Sequence, residues 1–538
     1  ARGLGDVYKR QLFGHSSERK EHENMKDFMM GVDIGTTSTK AVLYRTNGRI
    51  QLKKQIEYPL LTPEVDISEQ DPEVIFKAVI ETIQSVLIES EVSSEDVAFI
   101  SFSAQMHSLL LIDENNQPLT NSMTWADNRA RFATEDLRKH YEGHEIYKRT
   151  GTPLHAMSPL SKLWWLKNES LDLFNQARYF VDIKSYVLFR LTGEWVMDES
   201  IASATGLYHL KNRDWDSSVL DLLNISASQL PRLVETTKVL TIENNFTVQQ
   251  LGLSIQTPIV VGASDGVLSN LGVNSIEKGE VAITIGTSGA IRTVVDHPVI
   301  DEKGRIFCYV LDEHHYVIGG PVNNGGVVLK WLRDELLASE IETAKRLGID
   351  TYDVMSRIAQ TVPPGSNGLL FHPYLTGERA PLWDSNARGS FIGLTLSHKK
   401  EHMIRAVMEG VLFNLYTVFL ALVEVMEEVP QKIKATGGFS KSHLWRQMMA
   451  DIFDCTVEIP KSYESSCLGA CVLGLKALNH IEDYSIVETW MGATHQHVPH
   501  DKNVNLYQEL ASAFIQISRD LNYAYQTLSQ FQNQLKDK

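Results

Sequence analysis

The sequence predicts an α/β protein made of two domains of related design, and three observations carry that prediction. The segments Val32-Asp33-Ile34-Gly35-Thr36-Thr37 and Ile283-Thr284-Ile285-Gly286-Thr287-Ser288 repeat one pattern about half a chain apart. In each copy an apolar strand turns through Gly-Thr and leaves as a second alternating strand, Lys40 to Tyr44 and Ala290 to Val295. The length of 538 residues exceeds what one hydrophobic core usually serves.

The elements follow in order. Asn47-Gly48 is a two-residue turn signal, joining Lys40–Tyr44 to a strand around Ile50–Tyr58 and completing an antiparallel meander. A helix is expected from Pro72, capped by Asp71, with Val74, Ile75, Val79, Ile80 and Ile83 as its apolar side. Val97–Ser103 then reads as a buried strand, and a meander followed by helix and strand belongs to α/β folds with mixed sheets. Residues of about 104 to 255 include aromatic and polar segments that this unit does not require, such as Thr124–Arg131 and Thr150–Asn168; insertions of this kind usually carry specificity. A strand at Pro258–Val261 ends in Gly262-Ala263-Ser264-Asp265-Gly266 and enters a helix, after which the second hairpin opens the second domain. The boundary falls near 275, giving domains 25–275 and 276–538. A strand at Lys434–Thr436 runs into Gly437-Gly438, and a helix begins around Ser442. The tail, Leu506 to Tyr525, has helical apolar spacing at Leu506, Leu510, Phe514, Ile517 and Leu521; it docks on the second domain or pairs two copies in a homodimer, core packing being the simpler use. Residues 1–24 show no strand or helix period and no apolar core of a signal peptide, so the folded part is expected to start near Met25.

The composition is that of a globular protein, with 43% hydrophobic and 22% charged residues. No apolar run reads as long enough to span a bilayer. A net charge of −16 speaks against wholesale binding of nucleic acid or anionic lipid, while leaving room for a local basic pocket. A soluble cytoplasmic protein is expected, with no membrane or nucleic-acid partner. The four cysteines, Cys308, Cys455, Cys467 and Cys471, are too few for a disulfide framework in so long a chain. Cys467 and Cys471 lie in an apolar helical segment, Ser466 to Ala477, with no histidine at zinc-site spacing, and read as buried packing.

A Gly-Thr hairpin offers backbone N–H groups and a hydroxyl to a phosphate, because glycine lets the backbone approach and successive N–H groups form an anion-binding concavity. Two facing copies would grip a triphosphate from both sides. Asp33 in the first copy suits a magnesium ion, since hard cations prefer oxygen ligands.

Longer motifs make the resemblance specific. Met157-Ser-Pro-Leu-Ser-Lys162-Leu-Trp-Trp165-Leu, and Gly389-Ser-Phe-Ile-Gly393-Leu followed by His402-Met-Ile-Arg-Ala406-Val-Met-Glu409, resemble the two signatures of the FGGY carbohydrate kinases over about residues 29–500. That resemblance implies two ribonuclease-H-like domains of the actin and hexokinase-like ATPase type around a central cleft. ATP would be held mainly by the second domain and sugar mainly by the first. It also implies that Asp33 assists Mg2+, that Thr36, Thr37 and Lys40 approach the terminal phosphates, and that Gly286-Thr287 forms the second phosphate loop. Gly326 and Lys330 would line the nucleotide site, and Gly437, Gly438 and Ser442 the adenosine loop. Asp265 matches the family's catalytic base, although an aspartate at a helix start is otherwise an ordinary cap.

The sugar segments are Gln105-Met106-His107, Thr124-Trp125-Ala126-Asp127-Asn128-Arg129 and the stretch ending in His155. Met106-His107 stands where glycerol kinases have Arg-Glu, and Gly266 where they have Gln, so glycerol is a poor fit. The Gln-Met-His run is similar to xylulose kinases, which usually have Asn in place of Gly266. The Trp-Ala-Asp-Asn-Arg run and His144–His155 look most like the family's gluconate kinases, which implies D-gluconate converted to its 6-phosphate, with D-xylulose or another pentulose or polyol as the alternative. Asp127 would then accept sugar hydroxyls, Trp125 would stack on the carbon chain, and Arg129, His107 and His155 would serve the acid group. Lys162 reads as a structural support. The remote rival is a non-catalytic actin-like ATPase, against which the long sugar insertion and Asp265 speak.

Overall fold

The computed structural model describes residues 26–461 and 464–536, so the expectation for residues 1–24 and the start at Met25 lies outside the described residues. Two mixed sheets form the frame. The first has six strands in the order Val239–Leu240, Ile259–Ser264, Val97–Ala104, Phe28–Ile34, Ser38–Arg45, Ile50–Glu57. The second has seven, in the order Phe307–Val310, Tyr316–Val322, Gly289–Val295, Glu280–Ile285, Lys432–Thr436, Thr456–Pro460, Ala493–His497. Each contains the same unit. In the first, Phe28–Ile34 pairs antiparallel with Ser38–Arg45 and parallel with Val97–Ala104. In the second, Glu280–Ile285 pairs antiparallel with Gly289–Val295 and parallel with Lys432–Thr436. The repeat seen in the sequence is therefore a repeat of topology.

The helix expected from Pro72 spans Pro72–Ser90, and Asp71 caps it by accepting from the Glu73 N–H at 2.8 Å. Its buried face includes Ile75, Val79 and Ile83 but leaves Val74 exposed, because Phe76, Val86 and Leu87 rotate the apolar stripe away from it. The matching helix of the second half is Lys400–Met426, 27 residues long. An 18-residue window of it has mean hydropathy 1.9, which corrects the expectation that no apolar run reaches bilayer length. Packing explains it, since 78% of that window is buried in the protein and Arg405 pairs with Glu409 inside the core at 2.8 Å.

Two helices are exchanged between the halves. Asp265–Gly272 follows the first sheet but packs Val267, Leu268 and Leu271 into a cluster with Val294, Phe307, Tyr309 and Val317 of the second. Ser465–Ala477 follows the second sheet but lays Cys467, Leu468, Cys471 and Leu475 against Met29, Val42, Phe99 and Val260 of the first. The crossing is close. A Cβ on Gly272 would lie 1.8 Å from the Ser465 carbonyl oxygen, and one on Gly469 would lie 2.1 Å from that of Leu268. The four cysteines are free and buried; burial of Cys467 and Cys471 is as the sequence predicts.

The tail forms two helices, Asp501–Asp520 and Asn522–Lys536. The first buries Val504, Tyr507, Ala511, Phe514 and Ser518, so the stripe is centred beside the one read from the sequence, with Phe514 common to both. The Tyr507 hydroxyl donates to buried Glu409 at 2.7 Å, which fixes this rotation and docks the helix on the second half.

Candidate active site

A cavity of about 300 Å3 lies between the two halves, lined from the first by Gln105, Met106, His107, Trp125 and Asp265 and from the second by residues including Thr284, Gly286, Thr287, Arg292, Tyr309 and Arg379. Asp265 reaches it because the preceding strand is bulged. Pairing of Ile259–Ser264 with Val97–Ala104 shifts register between Val260 and Ala263. Gly262 at the bulge has φ of +75°, and a Cβ there would stand 1.7 Å from the Phe102 carbonyl oxygen, so only glycine fits. The carboxylate accepts from the Gly266 N–H at 2.6 Å. Burial, followed by the neighbouring Asp33 charge, raises its pKa to about 7, while Arg292 pulls the other way.

Asp33 accepts a 2.7 Å bond from the Ser103 hydroxyl. Burial raises its pKa too, against the pull of Ser103 and Lys40. The two carboxylates sense each other and cannot both ionise freely. No cluster of three metal-ligating side chains exists among the described residues. Magnesium takes one or two carboxylates and completes its shell with phosphate oxygens and water, so Asp33 would be its protein ligand.

The Gly-Thr turns are tight, with Gly35 N–H donating to Ser38 at 3.0 Å and Gly286 N–H donating to Ser288 at 2.9 Å. Thr37 is exposed at the first turn. The helix Gly326–Leu336 is pinned to the second turn, because Gly326 N–H donates to Gly286 at 2.7 Å and Val327 N–H to Thr287 at 3.1 Å. Lys330 is exposed one turn further along. Gly437 has φ of +101° and a Cβ there would meet the Ile285 carbonyl oxygen at 2.2 Å, whereas Gly438 is exposed with open space above it. Ser442 caps the next helix, His443–Phe453, accepting from Trp445 N–H at 3.2 Å. Lys40 is held by Glu464 of the other half at 2.6 Å, and Lys53 by the same carboxylate at 2.9 Å, so Lys40 reaches a phosphate only by sharing that bond.

A short network joins the first hairpin to the sugar segments. The Trp125 indole N–H donates to Thr36 Oγ1 at 3.0 Å, Thr36 donates to Gln105 Oε1 at 3.2 Å, and Gln105 donates to Gln70 at 2.7 Å. Lys162 is buried and donates to the carbonyls of His107 at 2.6 Å and Thr124 at 2.7 Å, fixing both sugar segments. Burial lowers its pKa to about 7.

Several of the expected sugar contacts have other partners or another charge state in the structure. Asp127 and Arg129 serve each other rather than the cavity. The Asp127 carboxylate accepts from Ser68 N–H at 2.9 Å and from Arg129 Nη2 at 2.8 Å, and Arg129 also pairs with Glu69 at 2.6 Å and lies over the Trp165 ring at 5.2 Å. Asn128 is exposed and lines, with His155, a separate outer cavity of about 210 Å3. His107 faces the main cavity but as a neutral ring. Burial, with Lys162 next in weight, lowers its pKa to about 3. Its Nδ1 lies 2.9 Å from the Ala204 carbonyl, so the proton sits there and Nε2 is left as an acceptor, suited to a hydroxyl and not to a carboxylate. His155 is likewise lowered to about 3 by burial, and its Nδ1 accepts from Met157 N–H at 3.1 Å.

The sequence reading missed Arg292, Tyr309 and Arg379. Arg292 had a signal, being the lone charge in the largely apolar strand Gly289–Val295. Arg379 had none, since it sits in an irregular loop; its guanidinium covers the Trp125 ring at 4.8 Å, leaving that face of the tryptophan unavailable to a sugar chain.

Comparison with known proteins agrees with this geometry. The N-terminal domain of the FGGY family of carbohydrate kinases matches residues 28–272, and the C-terminal domain matches residues 281–478. A gluconokinase of Bacillus subtilis is 54% identical over 95% of this chain and 99% of its own, and one of Bacillus licheniformis is 52% identical over 96% and 100%. A xylulose kinase of Bacillus subtilis is 29% identical over 92% and 98%. Two solved structures from Lactobacillus acidophilus, one described as a gluconate kinase and one as a ligand-bound xylulose kinase, share 42% identity each and superpose with TM-scores of 0.89 and 0.88, both covering 93% of this chain and 99% of theirs. With both domain matches in order and relatives alike over nearly their whole length, the chain belongs to the FGGY family of carbohydrate kinases, which transfer a phosphoryl group from ATP to a sugar hydroxyl.

Proposed function

We propose that the protein converts D-gluconate and ATP to 6-phospho-D-gluconate and ADP. The observation that carries the reading is Asp265, a buried carboxylate with a pKa raised to about 7, lining one cavity with both the Gly286-Thr287 turn and the Gln105-Met106-His107 segment. A base poised near neutral pH is suited to taking the hydroxyl proton. As the bond from the sugar oxygen to the γ-phosphorus forms, the bond to the β-phosphate bridge breaks, ADP leaves, and Asp265 holds the proton. Backbone N–H groups of the two Gly-Thr turns stabilise the charge on the transferring oxygens. Asp33 is placed to hold Mg2+ or its waters, and the ion would supply charge neutralisation at the phosphates. His107 Nε2 and Gln105 orient sugar hydroxyls, and Lys162 keeps their segments in register.

Gluconate as the acceptor is supported by the two gluconokinase relatives and by Gly266, which removes the side chain expected in xylulose kinases. Its 6-hydroxyl is a primary alcohol, the acceptor whose proton Asp265 would take. A requirement for ATP places the work in the cytoplasm. The test is coupled ADP release with Mg2+ and ATP on D-gluconate, D-xylulose, L-ribulose, glycerol and no sugar. Selective turnover of gluconate is expected; preference for D-xylulose would overturn the substrate while keeping Asp265, and sugar-independent turnover would favour the non-catalytic ATPase.

A further inference from the structure

The wall that the second half contributes to the cavity carries an unusual charge. It bears two cations, Arg292 and Arg379, and Asp265 from the facing half is the one carboxylate among the lining residues. Neither guanidinium makes an ion pair within 4.0 Å among the described residues. Glu378, the acid next to Arg379, lies behind the lining, accepts from Asn324 Nδ2 and Asn414 Nδ2, both at 2.8 Å, and offsets part of the Arg379 charge. Arg379 is held in place by bonds to Asn323 at 2.7 Å and the Val322 carbonyl at 3.3 Å, and by its stacking on Trp125. Two buried donors on this wall, Arg292 Nε and the Tyr309 hydroxyl, have no hydrogen-bond partner among the described residues. Buried cations and donors left unmatched cost free energy, and a buried group of this kind calls for an explanation.

Gly266 supplies the space. A Cβ on it would stand 2.9 Å from Met106 Cε and 3.1 and 3.2 Å from Arg292 Nε and Nη2. Any side chain at 266 would push on the guanidinium that faces it. The arginine and the glycine therefore belong together.

We propose that Arg292, Arg379 and the Tyr309 hydroxyl receive the carboxylate of the substrate, and that Gly266 makes room for Arg292, so that this wall selects a sugar acid over a neutral polyol. A carboxylate accepts from guanidinium N–H groups and a phenol, and it would supply the charged acceptor that the buried Arg292 Nε and Tyr309 hydroxyl lack. A neutral ketose or polyol can accept from these donors but brings no charge to set against the guanidinium groups. This inference rests on gluconate being the substrate, and it assigns the acid end to residues other than Arg129, which is committed to Asp127 and Glu69.

The test compares D-gluconate with D-glucitol, its counterpart with a hydroxymethyl group in place of the carboxylate, in coupled ADP release by the full chain. Wild type should favour gluconate in kcat/KM. Arg292→Met should lower the gluconate-to-glucitol ratio at least ~30-fold, mainly through a higher KM for gluconate, as loss of hydrogen bonds to a charged group implies. Gly266→Ala, which keeps the arginine but crowds it with one methyl, should lower the same ratio several-fold, and it carries the test if Arg292→Met does not fold. Wild type preferring gluconate with a ratio unchanged in the folded variants would overturn the receptor and leave the gluconate reading intact. Wild type preferring glucitol or D-xylulose would overturn both.

Discussion

The two Gly-Thr hairpins share their geometry and differ in charge. Asp33 in the first stands where Thr284 stands in the second, and Lys40 where Ile291 stands. The neighbours correspond as well. Asp33 pairs in register with Ser103 and bonds its hydroxyl, and Thr284 pairs in register with Thr436 and bonds its hydroxyl at 2.9 Å. One strand pair thus recurs with a carboxylate in one copy and a neutral hydroxyl in the other. The backbone turn recurs in both halves, while Asp33 and Asp265, the two acids proposed to serve the transfer, belong to the first half alone. The second half holds its cations deeper, one residue past the position of Ile291, where Arg292 replaces the counterpart Ala41.

The sharpest way to break this comparison is to remove the base. Asp265→Ala should lower kcat at least ~10²-fold in the ADP-release assay with gluconate, the effect of losing a general base; near-normal turnover would mean that the acids of the first half do not drive the transfer. A smaller effect follows from making the hairpins alike. Asp33→Thr should lower kcat by ~10-fold or more and raise the Mg2+ concentration needed for half-maximal rate. It should also move the pH profile. Asp265 acts as a base only when ionised, so kcat/KM falls as pH drops through its pKa of about 7, and the Asp33 charge is one of the causes that raise it. Removing that charge should shift the acid limb to lower pH, and an unmoved limb would show that the two carboxylates do not sense each other. The smallest effect concerns the clasp at Glu464. Lys53 is largely exposed, so Lys53→Ala should change the melting temperature by no more than about 2 °C, since such ion pairs contribute ~0–1 kcal/mol. A larger drop would place this clasp among the contacts that hold the halves together.

The repeat, the meander and the position of Asp265 were legible in the sequence because each leaves a local mark: Gly-Thr after an apolar run, Asn47-Gly48, and a strand ending in Gly262. The roles of Asp127 and Arg129 were not. Their residue types suit a sugar acid, but an aspartate two residues before an arginine can close on it, and only the approach of Glu69 and Ser68 decides that it does. His107 was placed correctly and its charge was not, because neutrality comes from burial and from the Ala204 carbonyl, which is far away in sequence. The tail stripe was read nearly right: Phe514, Leu510, Ile517 and Leu521 pack on the core, and the Tyr507 hydroxyl bonded to Glu409 turns the helix enough to leave Leu506 exposed. Tertiary partners set what local pattern left open.

The exchanged helices also bear on synthesis. The underside of the strand Phe28–Ile34 is covered by Ser465–Ala477, with Met29 and Cys467 in one cluster. A chain emerging from the ribosome completes the first sheet early, yet the helix that covers it emerges among the last segments made. During that interval the nascent chain presents an apolar sheet face to the solvent, the kind of surface that chaperones engage. A stall or truncation before residue 465 would therefore leave not one good half but an uncovered sheet, and the halves, similar as they are, mature together.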